Sequence, residues 1–284
     1  MDKELICEVK KKKEFSGLPD SIVERALVVS KEDVKEARAF LRKYFGVFLT
    51  NRVLKGKSSP EEMLAAHMSS KKRDYSEFYR EIFSGQESLE AQNFSKEKSS
   101  PTHPNSRSFA SNIRDSSNGH RENIGSIIDL GAGANGFSYP ALREVAGDVK
   151  YLAVEAAGQL VDQMNNYFRD RGFEGAHAIR EDLFNVEKVV ALLKGYGQFK
   201  PRVVFMLQVV DALENMERNF SKKFISEISE ECENIVLSLP TESLGGRKKF
   251  AVQRKWLVDF LEENFVVEKD FRMSGERVFV FRKK

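Results

Sequence analysis

The stretch Ile127-Ile-Asp-Leu-Gly-Ala-Gly-Ala-Asn-Gly-Phe137 decides the fold. Its apolar start, broken only by Asp129, reads as a short buried strand. Gly131, Gly133 and Gly136 then form a tight turn into a helix. Glycine supplies the backbone angles and the close approach that such a turn needs. Downstream, apolar runs at 151–155, 176–180, 202–207 and 234–239 follow the first strand at 126–130. Helical patterns at 139–145, 159–171, 188–193 and 220–230 alternate with them. Short runs of this kind suit a parallel sheet covered on both faces. Residues 265–272 and 277–281, joined by Met273-Ser-Gly-Glu276, read as an antiparallel hairpin. The expectation is an α/β domain over residues 123–284.

Upstream of the decisive stretch the pattern is helical. Ile22, Val23, Ala26, Leu27 and Val29 recur at helical spacing, and so do Val34, Ala37, Phe40, Leu41 and Phe45. Ser59-Pro60-Glu61-Glu62 is a helix start with proline at the first helical position. A stripe of Tyr75, Phe78, Tyr79, Ile82 and Phe83 closes this part, giving a helical N-terminal domain over 1–83. Residues 84–122 contain ten serines, four asparagines and few large apolar groups. Such a stretch buries too little surface to offset its ordering entropy, so it is expected to be a flexible insertion or linker.

Composition narrows the classes. Hydrophobic residues make up 41% and charged residues 31%, a globular balance, and no apolar run approaches a membrane span. The start, MDKELICEVKKKKEF, lacks the apolar core of a secretory signal. Cys7 and Cys232 are the only cysteines and stand far apart, so a reducing, cytoplasmic setting and no disulfide framework are expected. They and four scattered histidines lead to the expectation of no metal site. Charge is uneven. Residues 1–83 carry 18 Lys/Arg against 14 Asp/Glu, and 240–284 carry 11 against 7, whereas 123–239 carry 12 against 17. Basic flanks suit a polyanion such as nucleic acid, although a lone run like Lys10 to Lys13 is more often only solvated.

Three readings of the glycine loop compete. The literal G-x-G-x-x-G pattern suggests a dinucleotide site. A purely structural turn is the plainest reading. S-adenosylmethionine (SAM) is favoured by Asp129 two residues before the first glycine and by the terminal hairpin. Glu155, at the end of the second strand, offers two acceptor oxygens to ribose hydroxyls. Glu181-Asp182-Leu183 after the third strand suits an adenine amino group. Gln208, at the end of the fourth, is placed to face the cleft or simply to start a helix, and Asp211 reads as a helix-start residue. The layout is that of a class I SAM-dependent methyltransferase, with a Rossmann-like, mostly parallel sheet and a C-terminal antiparallel hairpin.

With these motifs placed, the sequence resembles the aminoglycoside-resistance methyltransferases of small-subunit (16S) ribosomal RNA, which methylate a decoding-site guanine at N7. His67-Met-Ser-Ser-Lys-Lys-Arg73 looks like that family's H-x-S-T-[KR]-E-R helix, and Asp129-Leu-Gly-Ala-Gly-Ala-Asn135 like its D-[IL]-x-C-G-x-N-P loop. Pro240-Thr-Glu-Ser-Leu-Gly-Gly-Arg247 looks like its P-T-[RK]-S-L-G-G-R segment. The chain departs from the pattern at Lys72, Ala132, Gly136, Gln208 and Asp211.

The resemblance implies a helical RNA-docking N-terminal domain and a SAM site. Arg73 would reach the cofactor carboxylate, and Asp129, Glu155 and Asp182 its amino group, ribose and adenine. Gly131, Gly133, Asn135, Leu183 and Gln208 would complete the cofactor cleft. Pro240, Thr241, Ser243, Arg247, Lys248 and Lys249 would shape the target pocket, with Arg254 and Lys255 extending a basic cluster toward phosphate. Phe137, Tyr139 and Trp256 are candidate stacking faces for a flipped base, against the plainer reading as core. The implied partner is ribosomal RNA or the small subunit, met by a monomer. Other readings are a methyltransferase for tRNA, protein or a small molecule, an RNA-binding protein with a degenerate cleft, and a nucleotide-dependent oxidoreductase.

Overall fold

A computed structural model describes residues 2–46, 59–66, 72–84, 124–241 and 254–284. The expected insertion at 84–122 therefore lies, apart from Ser84, outside the described residues. The N-terminal part consists of α1 (Lys3–Lys10), α2 (Asp20–Val29), α3 (Val34–Leu41), a π turn at Arg42–Gly46, α4 (Pro60–Ala66) and α5 (Tyr75–Phe83). The helix starts follow from sequence. Asp2, Asp33 and Asp74 accept the N–H of Glu4, Glu36 and Glu77 at 2.9, 2.8 and 3.0 Å. Ser59 and Glu62 exchange side chain–backbone bonds of 3.2 and 3.1 Å, a reciprocal cap ahead of Pro60.

The remainder is β1 (Ser126–Leu130), α6 (Tyr139–Ala146), β2 (Lys150–Glu155), α7 (Gly158–Asp170), β3 (Ala176–Arg180), α8 (Val186–Gly195) and β4 (Arg202–Leu207). There follow α9 (Val210–Met216), α10 (Phe220–Ile228), β5 (Asn234–Pro240), α11 (Lys255–Asn264), β6 (Phe265–Met273) and β7 (Glu276–Lys283). The seven strands form one sheet in the order β3-β2-β1-β4-β5-β7-β6. The first five are parallel, and β7 runs antiparallel to β5 and β6. This is the expected fold. Ser274 and Gly275 both have positive φ, 52° and 81°, as a two-residue type I′ hairpin turn requires.

Because strand side chains alternate, the sheet supplies two cores. Ile128, Leu130, Val204, Met206, Leu237 and Phe279 pack with α8, α10 and α11 on one face. Ile127, Ala153, Phe205, Val236 and Val278 face the other way, and their core is continuous with the buried residues of α2, α3 and α5. Tyr79 stacks on Phe205 at 6.1 Å and Phe83 does so at 6.2 Å, so the aromatic stripe of α5 lies on the strand that leads to Gln208. Lys269 of β6 donates to the carbonyls of Glu81, Ile82 and Ser84, tying the end of α5 to the hairpin. Among the described residues, no helix is long and apolar enough to cross a membrane.

Candidate functional site

Open α/β sheets bind ligands beyond the carboxyl ends of their parallel strands. Most of the predicted residues gather there. Gly131 and Gly133 turn the chain out of β1 with φ of 72° and 54°. A Cβ on Gly131 would sit 2.7 Å from Cγ2 of Val209, so only glycine passes there without displacing the start of α9. The Gly133 N–H donates to Glu155 Oε2 at 2.8 Å, and the Ala157 N–H to Oε1 at 2.8 Å. Burial pushes the Glu155 carboxyl up against these bonds.

Asp129 is 1% exposed at the end of β1. Its Oδ2 accepts from Asn135 Nδ2 at 2.6 Å and from the Tyr151 phenol at 2.8 Å. Its Oδ1 is buried with no hydrogen-bond partner among the described residues. A buried carboxylate oxygen without a donor is costly, and a ligand donor would satisfy it. Burial pushes the Asp129 carboxyl up to about 6, although Asn135, Tyr151 and the charge of Arg73 pull it down.

Asn135 is the hinge of the site. Its Oδ1 accepts from Arg73 Nη1 at 3.3 Å while its amide donates to Asp129. Tyr79 also approaches Oδ1 at 3.4 Å and shares a 2.6 Å bond with Ser138. Arg73, on the segment entering α5, is buried and lies over the Phe78 ring at 4.4 Å. Its Nη2 donates to both oxygens of Glu276 at 2.7 and 2.8 Å. Burial opposes the guanidinium charge most strongly, but the Glu276 carboxylate together with the Tyr75 and Tyr79 phenols holds Arg73 protonated.

Sequence reasoning missed Glu276, which was read as part of the turn. It begins β7, is 1% exposed and accepts from Ser238 at 2.5 Å. The signal was present in the period of two. Glu276, Val278 and Val280 alternate onto one face, and the two valines belong to the core that α5 covers. Tyr151 and Ser138 also escaped notice, since each is one polar group in an apolar run.

The acidic turn after β3 is likewise structured. Asp182 is buried beyond β3, its Oδ1 accepting the Phe184 N–H at 3.0 Å and its Oδ2 the Ser21 hydroxyl at 2.5 Å. Leu183 is buried, and its Cδ1 lies 3.7 Å from the Cβ position built on Gly131. Gln208 follows β4 with φ of 58°, a left-handed backbone, and its N–H donates to the Ser238 carbonyl. Strained residues of this kind cluster at functional sites.

Pro240 is paired in register with Glu276, which sets the first predicted target-pocket residue beside the Arg73 ion pair. Thr241 donates its N–H to Gly275 at 2.8 Å. Ser243, Arg247, Lys248 and Lys249 lie outside the described residues, as do residues 67–71 of the helix motif. The basic cluster is narrower than its sequence suggests. Arg254 is ion-paired with Asp211 and donates to the Pro240 carbonyl at 3.1 Å, while Lys255 pairs with Asp259. Asp211 lies in the first turn of α9, as read. Phe137 and Tyr139 are core residues, packed against Tyr167 and Phe168. Trp256 is half-buried with Lys222 over its ring. Among the described residues, no three His, Cys, Asp or Glu converge as a metal site would require.

No family model matches the sequence, and a search of curated proteins finds no match. Solved structures are more informative. The 16S rRNA methyltransferase RmtF, crystallised with S-adenosyl-L-homocysteine, superposes with a TM-score of 0.63 over 100% of both chains at 16% identity. An rRNA methylase from Escherichia coli gives 0.64 over 99% of both at 13% identity. The 16S rRNA methylase ArmA gives 0.50 over 83% of this chain and 96% of its own at 17% identity. The fold of this chain is that of the class I methyltransferases.

Proposed function

We propose that this protein is a SAM-dependent methyltransferase acting on ribosomal RNA, at guanine N7 of the small subunit. The observation that carries the cofactor is the unsatisfied Oδ1 of Asp129, joined through Asn135 to the Arg73 guanidinium. A buried acid and a buried base bridged by one amide match the ammonium and carboxylate of an amino-acid moiety. A pyrophosphate would need the N–H groups of the glycine loop, and the Gly133 N–H is taken by Glu155 Oε2, which argues against a dinucleotide.

When bound, SAM supplies an electrophilic methyl group on sulfur. Arg73 would hold the carboxylate, Asp129 the amino group, Glu155 the ribose and Asp182 the adenine. Glu276 and Ser238 keep the guanidinium aimed, so its orientation exists before the ligand arrives. Guanine N7 has a lone pair and no proton, so transfer there requires alignment and no general base. Burial pushes the Tyr79 phenol up, which keeps it neutral beside the cleft. The target reading rests on the resemblance, on the basic N-terminal part and on the ribosomal RNA enzymes among the structural neighbours. Parallel calorimetric titrations with SAM and NAD test the cofactor. Heat with SAM alone supports it, and heat with NAD alone overturns it.

A further inference from the structure

We infer that Ser21 of the N-terminal helical part is a positioning residue of the cofactor cleft, fixing Asp182 so that it discriminates an amino from an oxo purine. The inference rests on the proposed adenine role of Asp182. Ser21 stands in the first turn of α2 and donates to Asp182 Oδ2 across 161 residues of sequence at 2.5 Å. The Phe184 N–H holds Oδ1 at 3.0 Å. With one donor on each oxygen, the carboxylate is held in place and keeps one free lone pair on each oxygen.

The contact is anchored on both sides. Arg25, one turn further along α2, lies 4.2 Å over the Phe184 ring and pairs with Glu217 at 2.9 Å. Before α2, the Gly17 carbonyl accepts the Gly158 N–H at 3.1 Å, and Gln159 donates to the Lys13 carbonyl at 3.1 Å. Residues 13–25 thus wall the ends of β2 and β3. A carboxylate held as acceptor on both oxygens receives a 6-amino group and repels a 6-carbonyl.

The test compares S-adenosylhomocysteine with its deaminated analogue S-inosylhomocysteine by calorimetry on the full chain. Wild type is expected to prefer the adenosyl compound. Ser21→Ala should lose roughly five- to tenfold in adenosyl affinity, as for one hydrogen bond, and leave the weak inosyl binding unchanged, so the ratio falls. Ser21→Thr keeps the hydroxyl and should restore the ratio. An unchanged ratio in Ser21→Ala, with Asp182→Ala collapsing it, overturns the role of Ser21 alone. An unchanged ratio in Asp182→Ala overturns the adenine reading and this inference with it.

Discussion

Arg73 and Glu276, 203 residues apart in the chain, form a buried ion pair in which one guanidinium nitrogen reaches both carboxylate oxygens at 2.7 and 2.8 Å. The pair joins the helical part to the terminal hairpin at the mouth of the cleft. Breaking it leaves an uncompensated buried charge. Glu276→Ala should therefore lose about 3–5 kcal/mol of unfolding free energy in denaturant titration. The double variant Arg73→Met/Glu276→Leu removes both charges and should regain most of that stability. It should not regain cofactor binding. Wild-type SAM affinity in the double variant would contradict the role given to Arg73.

The Asp129 carboxyl sets a pH dependence. Its folded value, about 6, stands above the ordinary carboxyl value of 3.8. With SAM bound as proposed, its ammonium would favour the ionised form, so binding would drive proton release below pH 6 and be independent of that proton above it. SAM affinity should hold from pH 8 to about 6 and then fall, by up to tenfold per unit. Asp129→Asn should bind weakly with no such break. Calorimetry between pH 5 and 8 reads both.

Tyr151 donates one of the two hydrogen bonds on Asp129 Oδ2. Tyr151→Phe removes a bond that favours the charged carboxylate, so the midpoint of the SAM pH profile should move upward from about 6. Stability should drop by about 1 kcal/mol, the usual worth of one such bond. A profile identical to wild type would show that Asp129 does not govern it.

The basic residues after β5 should divide by role. Arg254 is engaged with Asp211 and the Pro240 carbonyl, so Arg254→Ala should lower thermal stability along with activity. Arg247→Ala should lower RNA methylation and leave SAM affinity unchanged. Equal methylation by Arg247→Ala and wild type would remove Arg247 from the RNA surface.

Four of the five parallel strands were legible as short, mainly apolar runs, β3 less plainly because His177 and Arg180 break it, and four of the helices between them because of their spacing and the glycine loop. β1, β3 and β4 coincide with the observed bounds, and β2 and β5 differ by one residue. Helix α11 was not read, since Leu257 and Leu261 are buried only by packing under the hairpin. The acidic residues at the ends of β1 and β2 and after β3 announced themselves by position. Glu276 and Ser21 did not, because their meaning comes from partners 203 and 161 residues away. A charge in a strand or a serine in a first helical turn is locally unremarkable until the fold supplies its partner. The opposite error came from Arg254, whose place in a basic run concealed its ion pair with Asp211.

Methyl transfer to small-subunit ribosomal RNA is the proposed activity. It is tested by incubating the protein with labelled SAM and purified small ribosomal subunits, with free RNA and protein extract alongside, and analysing the nucleosides by mass spectrometry. Labelled 7-methylguanosine from the subunit is expected. Label in protein or small molecules alone, or none in any RNA from a protein that binds SAM, would contradict it.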